Sequence, residues 1–280
     1  MTVARSAWLG PYRAITSARF RMLLQYRAAA IAGLWTQIVF GLVLIMIYEA
    51  FYQSAPDAVR PMTFSQVASY VWLGQALLAM LPWNTDPELR AMVKSGAVAY
   101  ELCRPIDLYG LWYARAVAQR TAPTILRAVP MAVFASVVLP LLGLGAWRLA
   151  PPASLAAGAG FVAAIASAIA LACAVSTLIH VSLLWTVVAD GAVIVVTTAV
   201  QFLSGILIPL PMFPDWAQPV LRWLPFAGLL DLPFRVYTGH IPPDELALVL
   251  ARQLGWTLVL VVAGRKLLAR GLSRVVVQGG

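Results

Sequence analysis

The sequence predicts an all-α integral membrane protein with six transmembrane helices, and three observations carry that expectation. The 280-residue chain is 61% apolar and only 11% charged, against about 25% charged residues in an ordinary soluble domain. Six apolar runs approach or exceed the roughly 20 helical residues needed to cross about 30 Å of hydrocarbon. Lys and Arg crowd onto alternate connections between those runs. A soluble fold of this size cannot hide so much apolar surface, so residues 1–280 read as a single transmembrane domain.

The runs are 28–48, 64–81, 122–142, 153–179, 191–208 and 246–263. Strict alternation puts the N-terminus, the 82–121 connection, the 180–190 turn and the C-terminus on one side. Those segments hold fourteen Lys and Arg, against four in the opposite connections. Basic residues are retained on the cytoplasmic side, so both termini are expected in the cytoplasm. The net charge of +9 is therefore an orientation signal and gives no reason to expect nucleic acid. No short apolar segment precedes a cleavage site, so the first run reads as a retained span and not a signal peptide. Cys103 and Cys173, without His or a second Cys at ligand spacing, support neither a disulfide framework nor a metal site.

Ahead of the first span, residues 11–27 place Tyr12, Ile15, Ala18, Met22 and Tyr26 on one helical face and Arg13, Arg21 and Arg27 on the other. Arg19 intrudes on the apolar side. This pattern suits an interfacial helix in contact with lipid at the inner leaflet, or a plain positive-inside tail. After the second span, N-T-D-P-E-L-R-A-M-V-K-S-G specifies a short discrete helix over 86–95. Asp86 suits the N-cap, Pro87 the first position, Glu88 the positive dipole end, Lys94 the negative end and Gly96 the stop. Caps say where a helix ends and nothing about what it touches.

Residues 101–120 restart at a candidate Asp107 cap and offer Leu111, Trp112, Ala114, Arg115 and Ala118 for a helix lying at the lipid headgroups before span three. Span four carries Gly160, Ala164, Ala168, Ala172 and Ser176, a small residue at every fourth position, which suits close helix packing within the subunit or across to another. Neutral polar residues inside spans, Gln37, Gln75, Thr197, Thr198 and Gln201, suit either interhelical hydrogen bonds or a substrate pathway.

Span five ends in SGILIPLPMFPDWAQPVLRWLPF, residues 204–226, with five prolines, Asp215 and Arg222. Broken helix at membrane depth is tolerated only where protein or a water-filled cavity satisfies the freed backbone. A turn dipping back into the outer leaflet, with Trp216 and Trp223 at the interface, meets that condition.

Ser204, Gly205, Pro209, Phe213, Pro214 and Trp216 are followed by Leu224, Pro225 and Phe226. Arg104, Pro105, Asp107 and Tyr109 precede span three, and the tail holds Gly271, Leu272, Arg274, Gly279 and Gly280. On these residues the chain resembles, over nearly its whole length, the membrane-spanning permease subunits of type-2 ATP-binding-cassette exporters, of the bacterial kind encoded beside a separate ATPase. The resemblance implies an N-terminal interface helix (Arg13, Ile15, Met22, Tyr26) and a coupling helix over 86–95 (Asp86, Glu88, Arg90, Lys94) seated in a groove of the ATPase. It also implies an outward re-entrant hairpin over 205–237 acting as a gate. Two such permeases would pack with two ATPases in the bacterial cytoplasmic membrane and export an amphipathic or hydrophobic substrate. ATP and Mg would sit on the partner.

No phosphate-cradling G-x-x-x-x-G-K-[ST] occurs, nor any Gly-Lys pair, so this chain is not expected to be the ATPase or to hold a cofactor. The rival classes are an ion-coupled secondary transporter and a non-transporting assembly subunit. The first would call for acidic or histidine groups in mid-span, and none is present in the runs.

Overall fold

The computed structural model describes residues 2–55, 60–185 and 190–272. The tail residues Arg274, Gly279 and Gly280 lie outside them. All regular structure among the described residues is helical. In chain order the α-helices are α1 (Thr2–Leu23), α2 (Arg27–Ser54), α3 (Phe64–Leu77), α4 (Pro87–Ser95), α5 (Val98–Leu102), α6 (Leu108–Val133), α7 (Leu139–Leu141), α8 (Leu155–Ser182), α9 (Asp190–Leu203), α10 (Gln218–Trp223), α11 (Asp231–Tyr237) and α12 (Leu246–Leu272).

Four stretches are long and apolar enough to cross a membrane: α2, the continuous Leu108–Leu141, α8, and Pro243–Leu272. The other two expected spans are shorter. α3 and α9 have 14 residues each, about 21 Å at 1.5 Å per residue, and α3 is prolonged by a 3₁₀ turn, Leu78–Met80.

Two boundaries differ from expectation. The N-terminal helix ends at Leu23, not at residue 27. Gln25 N–H bonds to Met22 O and Tyr26 N–H to Leu23 O, tightening the last turn, and Tyr26, at φ −78° and ψ 48°, precedes α2 outside helical geometry. The helix beginning at the Asp107 cap does not stop before span three. It continues through Pro123 and Pro130 into a π turn at Phe134–Val138 and then α7. Such breakers are tolerated at membrane depth where local adjustments and neighbours re-satisfy the backbone.

α8 is the most enclosed of the four long helices. Gly160, Ala164, Ala168, Ala172 and Ser176 are all buried along it, and Gly160 lies against Val236 of α11 and Leu246 of α12. The small-residue stripe therefore packs within the subunit, where the absent side chains let backbones approach. The core falls into three clusters. The largest joins α2, α3, α6 and α8 around Trp72, whose indole donates to Trp147 O at 2.7 Å and meets Phe134 edge-on. A second, around Trp112, gathers α4, α5, the start of α6 and the ends of α8 and α12. A third lies under the proline-rich segment, around Leu210, Leu232 and Val236.

The segments that the charge count assigned to one side meet at one end of the bundle. Thr16 of α1 donates to Ala114 O at 3.2 Å, Asp86 N–H to His180 of α8 at 2.8 Å, and Arg265 of α12 pairs with Asp107 at 3.1 Å.

Candidate functional site

At that end α4 is built as its residues dictate. Asp86 Oδ1 accepts from Glu88 N–H at 3.0 Å and Leu89 N–H at 3.4 Å, and Gly96 closes the helix at φ +76°, a left-handed geometry that costs glycine little. Leu89, Met92 and Val93 turn into the Trp112 cluster. Glu88 and Lys94 stay exposed.

The first turn of α4 is gripped by two guanidiniums from two other helices. Arg19 Nη2 of α1 lies 2.8 Å from Asp86 Oδ2 and 2.6 Å from Glu88 Oε2. Arg115 Nη2 of α6 lies 3.5 Å and 3.0 Å from the same two oxygens, and its Nη1 lies 3.1 Å from Glu101 Oε1 of α5. Trp112 Nε1 donates to the other Glu101 oxygen at 2.8 Å. Asp86, Glu101 and Arg115 are buried, so each charge depends on its partners, because an unpaired charge there is severely penalised. The hydrogen bond from Arg19 is the chief reason the Glu88 carboxyl sits below its usual range, with the Arg115 charge adding to it against burial and Asp86. Asp86 N–H donates to His180 Nε2, so that nitrogen carries no proton.

A further arginine stiffens the approach to α4. Arg120, fully enclosed in α6, donates to Leu81 O, Asn84 Oδ1 and Asn84 O at 2.7 Å each and to Ser176 Oγ at 3.0 Å. One guanidinium thus joins the exit of α3, the strap before α4, and α8. The segment between α3 and α4 is thereby pinned to α6 and α8.

At the other end, the proline-rich segment finds its backbone partners in protein. Gly205, at φ +87°, reverses the chain after Ser204, and both are buried. Asp231, enclosed in α11, accepts on Oδ1 from the Tyr70 hydroxyl at 2.9 Å and from Leu210 N–H at 3.2 Å, with Arg235 Nη1 3.6 Å from its other oxygen. Gln218 donates to Pro211 O and Phe213 O at 3.1 and 3.0 Å, and Gln253 to Ala164 O and Gly228 O at 3.0 and 2.8 Å. Side-chain amides and one carboxylate replace the helix bonds that prolines forfeit.

The expected sites are placed unevenly. Asp86 and Glu88 come together with Arg19 and Arg115, while Lys94 is exposed at the far end of α4 and Arg90 is half-buried. Of the N-terminal residues, Ile15 packs on the Trp112 cluster, Arg13 borders a groove with Gly110, Tyr113 and Val117, Met22 is exposed, and Tyr26 falls beyond α1. Of the gate residues, Ser204, Gly205 and Pro209 are buried, Phe213 is half-buried, and Pro214 and Trp216 are exposed. Gln37 and Gln75 are buried on α2 and α3, and Thr197 and Gln201 are half-buried on α9; no hydrogen bond among the described residues links the four.

Leu111, Trp112, Ala114, Arg115 and Ala118, expected at lipid headgroups, are buried in protein instead. α1, α4 and α5 cover that face, so the apolar pattern reports a protein neighbour and not lipid. The residues sequence reasoning passed over are Glu101, Arg120, His180, Tyr70 and Asp231. Arg19 left one signal, its position on an otherwise apolar face.

A family model described as ABC-2 family transporter protein matches residues 38–279. Comparison with curated proteins and comparison with solved structures each gave no match.

Proposed function

The chain belongs to the ABC-2 family of transporters, as the multi-pass membrane permease component that associates with an ATP-binding-cassette partner, and on that premise we propose an ATP-driven exporter in which α4 is the coupling helix. The observation that carries this reading is the grip of Arg19 and Arg115 on Asp86 and Glu88. A helix held by charge to α1 and α6 and tied through Arg120 to α3 and α8 works as a lever, because a push on its exposed side moves the bundle. Lys94 on α4 and Tyr100 on the adjoining α5 are exposed and would face the partner.

ATP and Mg are assigned to the partner, since the chain carries no phosphate-cradling loop of its own. In this reading the end bearing α4 is cytoplasmic, with both termini there. α3 with its 3₁₀ extension and α9 complete six crossings, and residues 205–237 re-enter from the outer face as the gate. The exposed apolar faces of α2 and α12, including Trp35, Phe40 and Leu258, suit lipid and a second permease subunit. The same apolar character favours an amphipathic or hydrophobic substrate, moved out across a bacterial cytoplasmic membrane.

Reconstitution with the partner ATPase in proteoliposomes tests it. Substrate-stimulated ATP hydrolysis and outward movement of an amphiphile are expected, and Arg115→Gln should keep assembly but lose stimulation. A complex that hydrolyses ATP with no response to any amphiphile and moves none would overturn the reading.

A further inference from the structure

Arg127 is a cation with no anion beside it among the described residues. It lies seven residues beyond Arg120 on α6, about 10 Å further into the bundle at 1.5 Å per residue. Among the described residues it has neither an ion-pair nor a hydrogen-bond partner, and its Nε is enclosed and unpaired. Its guanidinium lies against α2 where Gly33 leaves room: a Cβ on Gly33 would stand 2.6 Å from Cζ, 2.7 Å from Nη2 and 2.9 Å from Nη1.

One turn further along the same face of α2 is Gln37, 3% exposed, with neither amide oxygen nor amide nitrogen partnered. A second enclosed polar group thus stands unsatisfied one turn from the glycine that faces the first. Desolvating an amide without a hydrogen bond, and a cation without a counter-charge, are both costly. Proximity of the two on one helix pair is difficult to attribute to packing.

The crevice is not sealed. Arg127 as a residue is half-buried, and the apolar side chains on the same faces of the two helices, Phe40 one turn beyond Gln37 on α2 and Pro130 one turn beyond Arg127 on α6, are exposed. A cation and an amide at depth, opening onto an apolar flank, match a molecule with an anionic head and a hydrocarbon tail. The geometry points to the α2–α6 crevice as a binding site for an anionic amphiphile, its phosphate or carboxylate on Arg127 and Gln37 and its tail along the flank. The amphiphile is either a resident anionic lipid or the transported molecule. The site itself rests only on α2 and α6 lying in a membrane; the cargo alternative rests also on the exporter reading.

The test uses the full chain with its ATPase in nanodiscs of phosphatidylcholine, with and without phosphatidylglycerol as the probe. Phosphatidylglycerol should raise the thermal midpoint of the wild type and stay bound in native mass spectrometry. Arg127→Gln and Gly33→Leu should weaken its apparent binding about tenfold or more, the loss of one charge-assisted hydrogen bond. Arg127→Lys should keep part of it, and Arg148→Gln, an exposed basic residue outside both helices, should keep it all. If wild type and Arg127→Gln respond equally, or the wild type does not respond, the site does not exist. Labelled phosphatidylglycerol released only during ATP hydrolysis marks cargo, and label retained through turnover marks a resident lipid; either supports the site, whereas an ATPase unresponsive to amphiphiles with binding intact would reject the exporter reading alone.

Discussion

Arg19 on the N-terminal helix places its guanidinium 2.8 Å from Asp86, the residue that caps α4. The same carboxylate therefore starts a helix and fastens it to another, 67 positions away in the chain. Replacing Arg19 with Ala removes one of the two cations on Asp86 and leaves its buried Oδ2 with a single, longer contact to Arg115. A loss of about 1–3 kcal/mol is expected, the range for a charged hydrogen bond. Thermal unfolding of the purified chain measures it, and an unchanged midpoint would contradict the grip.

Glu88 supplies a pH signature. Its folded-state carboxyl lies below the ordinary 4.5, so the unfolded chain binds the proton more readily. The stabilisation is fully present above pH 4.5 and lost as pH falls through the lower folded value. Wild type should lose thermal stability below pH 4.5 more steeply than Glu88→Gln. Parallel profiles for the two proteins would show that the pairing is absent.

Arg120→Lys keeps the charge and should still fail. Four hydrogen bonds to acceptors on Leu81, Asn84 and Ser176 need a planar fork that an ammonium cannot present. The strap over 81–84 should loosen, seen as faster amide hydrogen exchange there and in α4. Exchange identical to wild type would refute the strap as a stiff link.

Tyr70→Phe deletes the hydroxyl that donates to Asp231 and leaves a buried carboxylate oxygen with the Leu210 N–H alone. About 1–3 kcal/mol should be lost, and the segment over 205–237 should open preferentially. Cysteine labelling at exposed Trp216 and at buried Leu210 reads this directly. With Tyr70→Phe in place, the Leu210→Cys thiol should become reactive while the Trp216→Cys thiol is unchanged; a Leu210→Cys thiol that stays protected would mean that the hydroxyl does not hold the segment shut.

Gly205→Ala tests the reversal after α9. A side chain at φ +87° is strained, and its Cβ would collide with the Tyr70 hydroxyl. Reduced stability is expected in the wild type, with partial relief when Tyr70→Phe is also present. Strict additivity of the two substitutions would mean that they do not share a site.

Much of this was legible in the chain itself. The helix over 86–95 emerged with its boundaries because caps, proline and glycine act over four residues, which is the range of sequence-local chemistry. The Asp107 start of α6 was visible for the same reason. Residues 101–120 misled because an apolar stripe has the same spacing whether lipid or protein covers it, and here α1, α4 and α5 do. The prolines of 204–226 announced a broken helix, but not that Asp231, Gln218 and Gln253 would satisfy it.

Composition, hydropathy and charge bias by themselves determined that this chain is helical, lives in a membrane and crowds its basic segments together, since those properties are sums over residues. Only the tertiary structure decided that Arg19, Arg115, Asp86, Glu88 and Glu101, drawn from four helices and one cap, form one network, and that Arg127 has no partner among the described residues. Pairing depends on which helices touch, and contact between residues 67 or 161 positions apart leaves no mark on local spacing.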